Sequence, residues 1–395
     1  MLNRRHCLHT LASLPLVLHG SHLYAAPAAG SKLLLVFLRG GYDAASLLVP
    51  ISSSFYYEAR PQIAIAKPGP EAHCALPLNS DWGLHPALRD SLYPYYQRQQ
   101  LAFIPFAGTS NISRSHFETQ DHIEMGQADT GRKNYQSGFL NRLASVLEGS
   151  AAMAFTPQLP LIFQGPAAVA NTSLKSISKS SVNLRQSALI SAMYKDSGLE
   201  TQVAEGFAVQ SELLQEMNAE MQAANRNAIS TKGFALEVQR MARLMKDRYN
   251  LGFMDVGGWD THVNQGAATG TLANRLGELG QGLDAFAQGM GADWKNTTVV
   301  VLSEFGRTFR QNGNRGTDHG HGSVYWVLGG GVKGGNIAGE QVFIKQDSLF
   351  QNRDYPVLND YRAVLGGLLQ AQFGLNVQQL DTVFPGVGVR DLGLV

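Results

Sequence analysis

Cysteine is nearly absent from this chain of 395 residues, which carries only Cys7 and Cys74. Charge is scarce too: 16% of the residues are Asp, Glu, Lys or Arg, against about 25% in average soluble domains. Neither sign prevails, with 32 basic and 31 acidic residues. The first shortage excludes a disulfide-stapled scaffold, and the balance of charge excludes the basic stripe that nucleic-acid binding needs. Beyond residue 30 there is no run of about 18 apolar residues, so no membrane-spanning helix is expected there. Apolar side chains, at 44%, and 42 glycines are what the chain has in quantity. That composition suits a large buried core joined by tight turns.

The first 28 residues read as a secretory signal. Arg4 and Arg5 precede an apolar stretch from Leu11 to Leu18, and Ala26-Pro27-Ala28 has the small-x-small form of a cleavage site. The paired arginines followed by Leu8 match a twin-arginine signal, although Cys7 stands where an aromatic residue is usual. The expected location is therefore periplasmic or otherwise exported. Removal of this segment leaves Cys74 alone, without a recognisable nucleophile signature around it. It also leaves seven histidines, three of them in two short motifs.

Apolar runs at Leu33–Leu38, Leu101–Phe106, Leu159–Phe163, Leu251–Val256, Thr297–Leu302 and Val324–Leu328 predict buried strands. Between them lie helical stripes: Val203, Phe207, Leu214, Met217 and Met221; then Phe234, Val238, Met241 and Met245; then Leu272 through Met290. Asp360 is placed to cap a last helix. Strands alternating with helices predict a doubly wound α/β fold, with a mostly parallel sheet sandwiched by helices. Residues 29–395 are expected to form one domain with a helical insert around 165–249. The Ser/Lys-rich stretch Thr172–Ser181 is the candidate lid.

In open α/β sheets, ligands bind beyond the carboxyl ends of the strands. Asp43 follows the first strand, Asp260 and His262 (GGWDTH) the Leu251 strand, and Glu304 (SEFGR) the Thr297 strand. Asp318, His319 and His321 (TDHGHG) lie just before the Val324 strand. Together they form an imidazole and carboxylate set suited to zinc, manganese or iron. Taken singly, each has a plainer reading: Asp260 as a helix cap, TDHGHG as a polar glycine turn, Glu304 as a partner for Arg307 or Arg39. GGGVKGG is not a phosphate-binding loop, because it lacks the GK[ST] ending. No G-x-S-x-G elbow marks a serine hydrolase.

The strings LRGGYDAASLLVP, RSHFETQDHIEMG, GGWDTH, LSEFGRTFRQNG, TDHGHG and VLGGGVKGG resemble the DUF1501 family. That family groups exported bacterial proteins, often with twin-arginine signals, within the alkaline phosphatase and sulfatase superfamily. The resemblance runs from about Lys32 to the VFPG at Phe384. It implies metal-binding loops at the carboxyl edge of an alkaline phosphatase-like sheet, one or two divalent ions, and a nucleophile at a helix N-terminus. Carried over by position, Asp43, Asp260, His262 and one of His319 and His321 would be metal ligands, with Glu304 and Asp318 as further candidate ligands. Ser115, flanked by Arg114 and His116 as further catalytic residues, would be the nucleophile, with Ser113 the second choice and a plain N-cap serine the simpler reading. The chain departs from the pattern at Glu304-Phe305, where Asp-His is common, and in the spacing of two between Asp260 and His262.

The implied activity is metal-dependent hydrolysis of phosphate or sulfate esters, with Arg39, Arg114 or Arg307 clamping the anion. The substrate would be a small anionic ester or a glycan. The alternative on the same scaffold is a non-catalytic exported protein that binds a partner in envelope assembly.

Overall fold

The computed structural model describes residues 30–128, 131–172, 184–201, 203–204 and 234–395. The segment expected to be a signal, the stripe from Phe207 to Met221 and nearly all of Thr172–Ser181 lie outside the described residues.

An eight-stranded sheet organises the chain. Its strands are β1 (Lys32–Arg39), β5 (Leu101–Gly108), β6 (Ala152–Ala154), β7 (Val169–Asn171), β8 (Leu251–Gly257), β9 (Thr297–Ser303), β10 (Ser323–Gly329) and β11 (Asn359–Asp360). The spatial order is β11-β5-β10-β9-β1-β8-β6-β7. All neighbours pair in parallel except β10, which runs antiparallel to both β5 and β9. A small second sheet joins β2 (Leu48–Pro50), β4 (Trp82–Leu84) and β3 (Leu76–Pro77).

The apolar runs form strands because both faces of the sheet are covered. Successive side chains of a strand point to opposite faces, and β1 sorts accordingly. Leu34, Val36 and Leu38 belong to one buried cluster, and Leu33, Leu35 and Phe37 to the other. On the first face lie the helices Phe234–Asp247 and Thr271–Met290, through Val238, Met241, Met245, Leu276, Leu283 and Phe286. On the second lie Phe139–Val146, Tyr361–Phe373 and Val377–Val383, through Leu140, Leu143, Leu365, Leu368 and Leu380. The methionines of the Phe234 helix are thus core packing, inside the stretch expected to be an insert. Asp360 caps its helix as expected, accepting from the amides of Arg362 and Ala363.

One sequence expectation changes. Leu159–Phe163 is not a strand: Leu161–Phe163 makes a single 3₁₀ turn, and the neighbouring strands are the short β6 and β7. Pro160 deprives that stretch of an amide donor that a strand ladder uses, and Pro157 stands two residues before it. The mostly parallel sheet is as expected, and among the described residues its one antiparallel strand is β10. Residues 304–322 hold no crossover helix, and without one the chain returns antiparallel. The start of β10 therefore lies at the same edge as the ends of β1, β8 and β9. Among the described residues, no helix is long and apolar enough to cross a membrane.

His85 is fully buried beside this edge; its Nε2–H donates to the Ala267 carbonyl at 3.1 Å and its Nδ1 accepts from the Ala87 amide at 3.1 Å. Burial pushes its pKa down to about 4 from 6.5, against the pull of the Ala267 carbonyl. The unfolded chain therefore binds a proton that the folded one refuses. Stability should be intact above about pH 6.5 and fall by roughly 3 kcal/mol as the pH drops through 4. Urea melts across that range should show a shallower loss for His85→Gln, and an unchanged slope would refute the assignment.

Candidate metal centre

Four loops meet at the carboxyl edge. The ends of β1, β8 and β9 are in register, with Arg39 opposite Gly257 and Leu38 opposite Ser303. β5 leads through residues 109–115 into helix α1 (His116–Met125). The β9–β10 loop folds back on itself, since Gly306 and Thr308 donate to the carbonyls of His321 and Asp318 at 2.9 and 2.8 Å. Gly320 permits this return: a Cβ there would stand 2.5 Å from the Arg307 carbonyl. Gly40 closes the β1 end with φ +124°, where a Cβ would lie 2.7 Å from the Asp260 amide.

Three imidazoles and one carboxylate converge. His319 Nε2 lies 3.0 Å from His116 Nε2, 3.1 Å from His262 Nε2 and 3.2 Å from Asp260 Oδ1. Asp260 is 2.9 Å from His262 Nε2 through Oδ1 and 3.6 Å from His116 Nε2 through Oδ2. The other nitrogen of each ring faces a group that can only accept. His116 Nδ1 donates to Glu304 Oε1 at 2.8 Å, His319 Nδ1 to the Arg114 carbonyl at 2.9 Å, and His262 Nδ1 to Asp318 Oδ1 at 3.0 Å. A neutral imidazole with its proton on Nδ1 has a lone pair on Nε2. Three such lone pairs aimed at one point repel one another unless a cation lies between them.

The donor set fits a metal ion. His116, Asp260 and His319 offer ligand atoms within 4.8 Å of one another, and His262 extends the group. A tetrahedral ion with bonds of about 2.0 Å has ligand–ligand edges of about 3.3 Å, close to the distances here. The carboxylate and carbonyl behind each ring are the usual outer partners of metal-binding histidines.

Electrostatics supports the arrangement. Burial alone would raise Asp260, but its bond from Arg307 Nη1 at 2.5 Å and the charge of that guanidinium hold it below the usual carboxylate range. Glu304 is buried, yet its bonds from His116 and Gln120 outweigh desolvation and keep it low. In return, the Glu304 bond raises His116. Burial and the neighbouring His116 lower His319. The Phe305 ring underlies the centre, 4.8 Å from the His116 ring and 5.3 Å from that of His319.

The other expected site residues go elsewhere. Asp43 is buried in a forked ion pair with Arg60, at 2.6 and 2.9 Å, and its Oδ2 also accepts from Ser46 and Gln265 at 2.7 and 2.6 Å. Oδ2 takes three donors and Oδ1 is held by Arg60, so the carboxylate is engaged there and stands outside the convergent set. His321 is buried against Phe350, and desolvation together with Arg114 lowers it to about 4. Glu304 pairs with His116 and Gln120 rather than with an arginine. Asp318 acts behind His262 and also accepts from Asn312 at 3.0 Å. Arg39 is bound by Asp255, Gln120 and Glu124, and Arg114 by Asp354 and Gln351. Ser113 donates to Glu118, whereas the Ser115 side chain makes no cap bond at the start of α1.

His116 was read from the sequence as a catalytic neighbour of Ser115; the fold puts its Nε2 among the ligand atoms. Gln120 lies within the string RSHFETQDHIEMG without being a candidate site residue, and no motif marks Gln265. Gln265 joins Asp43 to the site loops, donating to it and accepting from Thr261 and Thr317 at 3.1 and 3.0 Å.

Residues 31–384 match the family described as "Protein of unknown function (DUF1501)". The chain belongs to the DUF1501 family. No curated protein matches this family member in sequence. Among solved structures it is similar to a protein in the alkaline phosphatase superfamily from Vibrio parahaemolyticus, at 10% identity and a TM-score of 0.36, over 76% of this chain and 60% of that one. It is also similar to Ps i-CgsB in complex with k-i-k-neocarrahexaose, at 10% identity and a TM-score of 0.38, over 92% and 76%. A third is the C-terminal periplasmic domain of EcEptC from Escherichia coli in complex with Zn, at 8% and 0.34, over 76% and 73%. The chain thus spans 60% of the length of the Vibrio protein, and likenesses this distant transfer no activity.

Two outcomes are expected. Glu304→Gln should weaken zinc binding about 10–100-fold, the usual effect of losing an outer partner, as read by competition with a chelating dye. Asp43→Ala should leave the buried Arg60 guanidinium unpaired and lower folding stability by about 3–5 kcal/mol, as read by denaturant melts.

Proposed function

We propose that this DUF1501 protein is an exported, single-metal hydrolase of phosphate or sulfate esters. The observation that carries this reading is the convergence of three imidazole Nε2 atoms on the Asp260 carboxylate, with each Nδ1–H held from behind. His116, His262, His319 and Asp260 are the ligands in this proposal, and zinc, manganese and iron suit that set. Asp43 and His321 are left out, because neither is part of the convergent group.

A divalent ion held there supplies Lewis-acid polarisation of an ester oxygen and charge against the developing anion. The chain's own residues do the rest. Glu304, Asp318 and the Arg114 carbonyl fix the ring tautomers. Arg307 keeps Asp260 ionised and oriented. Ser115, at the start of α1 and next to His116, is the candidate nucleophile, since Ser113 is tied to Glu118. The side chains of His116, Asp260, His262 and His319 are 23–40% exposed, so a substrate can reach the centre from solvent. Export rests on the Arg4-Arg5 stretch and the Ala26-Pro27-Ala28 site.

Protein purified without chelators should contain about one zinc, manganese or iron per chain by mass spectrometry, and Asp260→Ala should lose it. Hydrolysis of an aryl phosphate or aryl sulfate should disappear on chelation and fall at least a hundredfold in Ser115→Ala. Metal at one per chain with no hydrolysis of either ester would favour the binding-protein alternative. A clean absence of metal would remove the basis of the reading.

A further inference from the structure

Helix α1 carries polar side chains at intervals of four: His116, Gln120 and Glu124. Residues so spaced share one face of a helix. His116 belongs to the convergent set, and the other two continue the stripe away from it. Both make contacts that lead back to the imidazole.

Glu304 is the junction. Its Oε1 accepts from His116 Nδ1, Gln120 Nε2 and the Gly40 amide, each at 2.8 Å, while Oε2 accepts from the Ser303 hydroxyl at 2.8 Å. A carboxylate oxygen has about two lone-pair directions. Three donors on Oε1 must share them, so each bond is weaker than it would be with one donor fewer. The carboxylate is fully buried, which keeps bulk water from this exchange.

Gln120 is held in the orientation that makes it a donor. Its Oε1 accepts from Arg39 Nη1 at 2.9 Å. A guanidinium only donates, so the amide carbonyl faces Arg39 and the NH₂ group is left for Glu304. Arg39 is fixed in turn, with Nη2 on Glu124 at 2.9 Å and Nε on Asp255 at 2.7 Å. Glu124, buried at the far end of the stripe, also accepts from the Ile162 amide at 2.9 Å. The arginine expected from the sequence to clamp an anion thus holds an amide in place.

Resting on the metal-centre part of the proposed function, we infer that Gln120 is a positioning residue of that centre: oriented by Arg39, its amide draws charge from Glu304 and limits how strongly this carboxylate pulls on the Nδ1–H of His116. A carboxylate behind a histidine raises its basicity as a ligand, and Gln120 moderates that rise. His116 Nε2 is then a weaker donor than Glu304 alone would make it. Affinity is given up in exchange for a more strongly Lewis-acidic ion.

The sign of the effect separates this role from plain scaffolding, because loss of a scaffold contact loosens a site and loss of this donor should tighten it. Gln120→Met keeps the length and helix propensity of the side chain and removes its amide. Zinc affinity, read by competition with a chelating dye, should rise severalfold. In the zinc-free protein the Nδ1 proton of His116 should move downfield in the NMR spectrum, as its bond to Glu304 shortens. Arg39→Lys keeps a charge beside Glu124 and Asp255 but lacks the fork that holds Gln120 Oε1. It should tighten zinc binding to a smaller extent, and add nothing in the Gln120→Met background. If Gln120→Met does not fold, Arg39→Lys carries the test through the same two readouts. Unchanged or weaker zinc binding, a proton that stays or moves upfield, or effects of the two substitutions that simply multiply would overturn the inference and leave the metal centre standing. Absence of zinc binding by the unaltered protein would remove the centre and the inference together.

Discussion

Three imidazole nitrogens cannot share one point in space unless something positive joins them, and everything around this edge of the sheet acts to bring them there. His116 arrives on the first turn of a helix after β5, His262 on the loop after β8, and His319 on a loop that returns to start β10. Each ring is turned by an acceptor on its far side: Glu304, Asp318 and the carbonyl of Arg114. Those acceptors fix the tautomer, and the tautomer fixes where the lone pair points. A proton or a metal ion can occupy the meeting place; the carboxylate of Asp260 favours either.

A second, wholly buried layer keeps these loops in position. Asp43 and Arg60 pair with almost no exposure to water, an arrangement whose desolvation cost is offset only if every remaining lone pair and donor finds a partner. Partners are supplied on both sides: Arg60 also donates to the carbonyls of Thr308 and Phe309, and Asp43 Oδ2 accepts from Ser46 and Gln265. Gln265 passes the contact on to Thr317, and Thr317 accepts from Arg307 Nε at 3.2 Å. The first-strand carboxylate is thus connected to Asp260 through polar groups, not through a shared ion. Its place beyond β1 resembles that of a ligand, while its chemistry is that of a brace.

Legibility in the sequence followed the range of the contacts. The apolar runs of β1, β5, β8, β9 and β10 and the stripe of the Thr271–Met290 helix depend on local periodicity, so they could be read directly. The same holds for the clustering of polar residues beyond the strand ends. Leu159–Phe163 is ambiguous because an apolar run of that length suits a turn as well as a strand, and Pro160 within it tips the balance to the turn. β6 and β7, at three residues each, carry too short a pattern to stand out.

Partnership was not legible. His116 and Glu304 are 188 positions apart, and Gln120 and Glu304 are 184 apart; no spacing rule joins them. All three arginines looked available for an anion because a guanidinium in a loop reveals nothing about the carboxylate it will meet. The sequence alone determined a mostly parallel α/β sheet and the loops that carry its imidazoles and acids, because burial on two faces imprints a local apolar pattern. Only the tertiary structure decided which residues converge, since β10 turns antiparallel for want of a crossover helix and so brings His319 back to the edge where His116 and His262 stand.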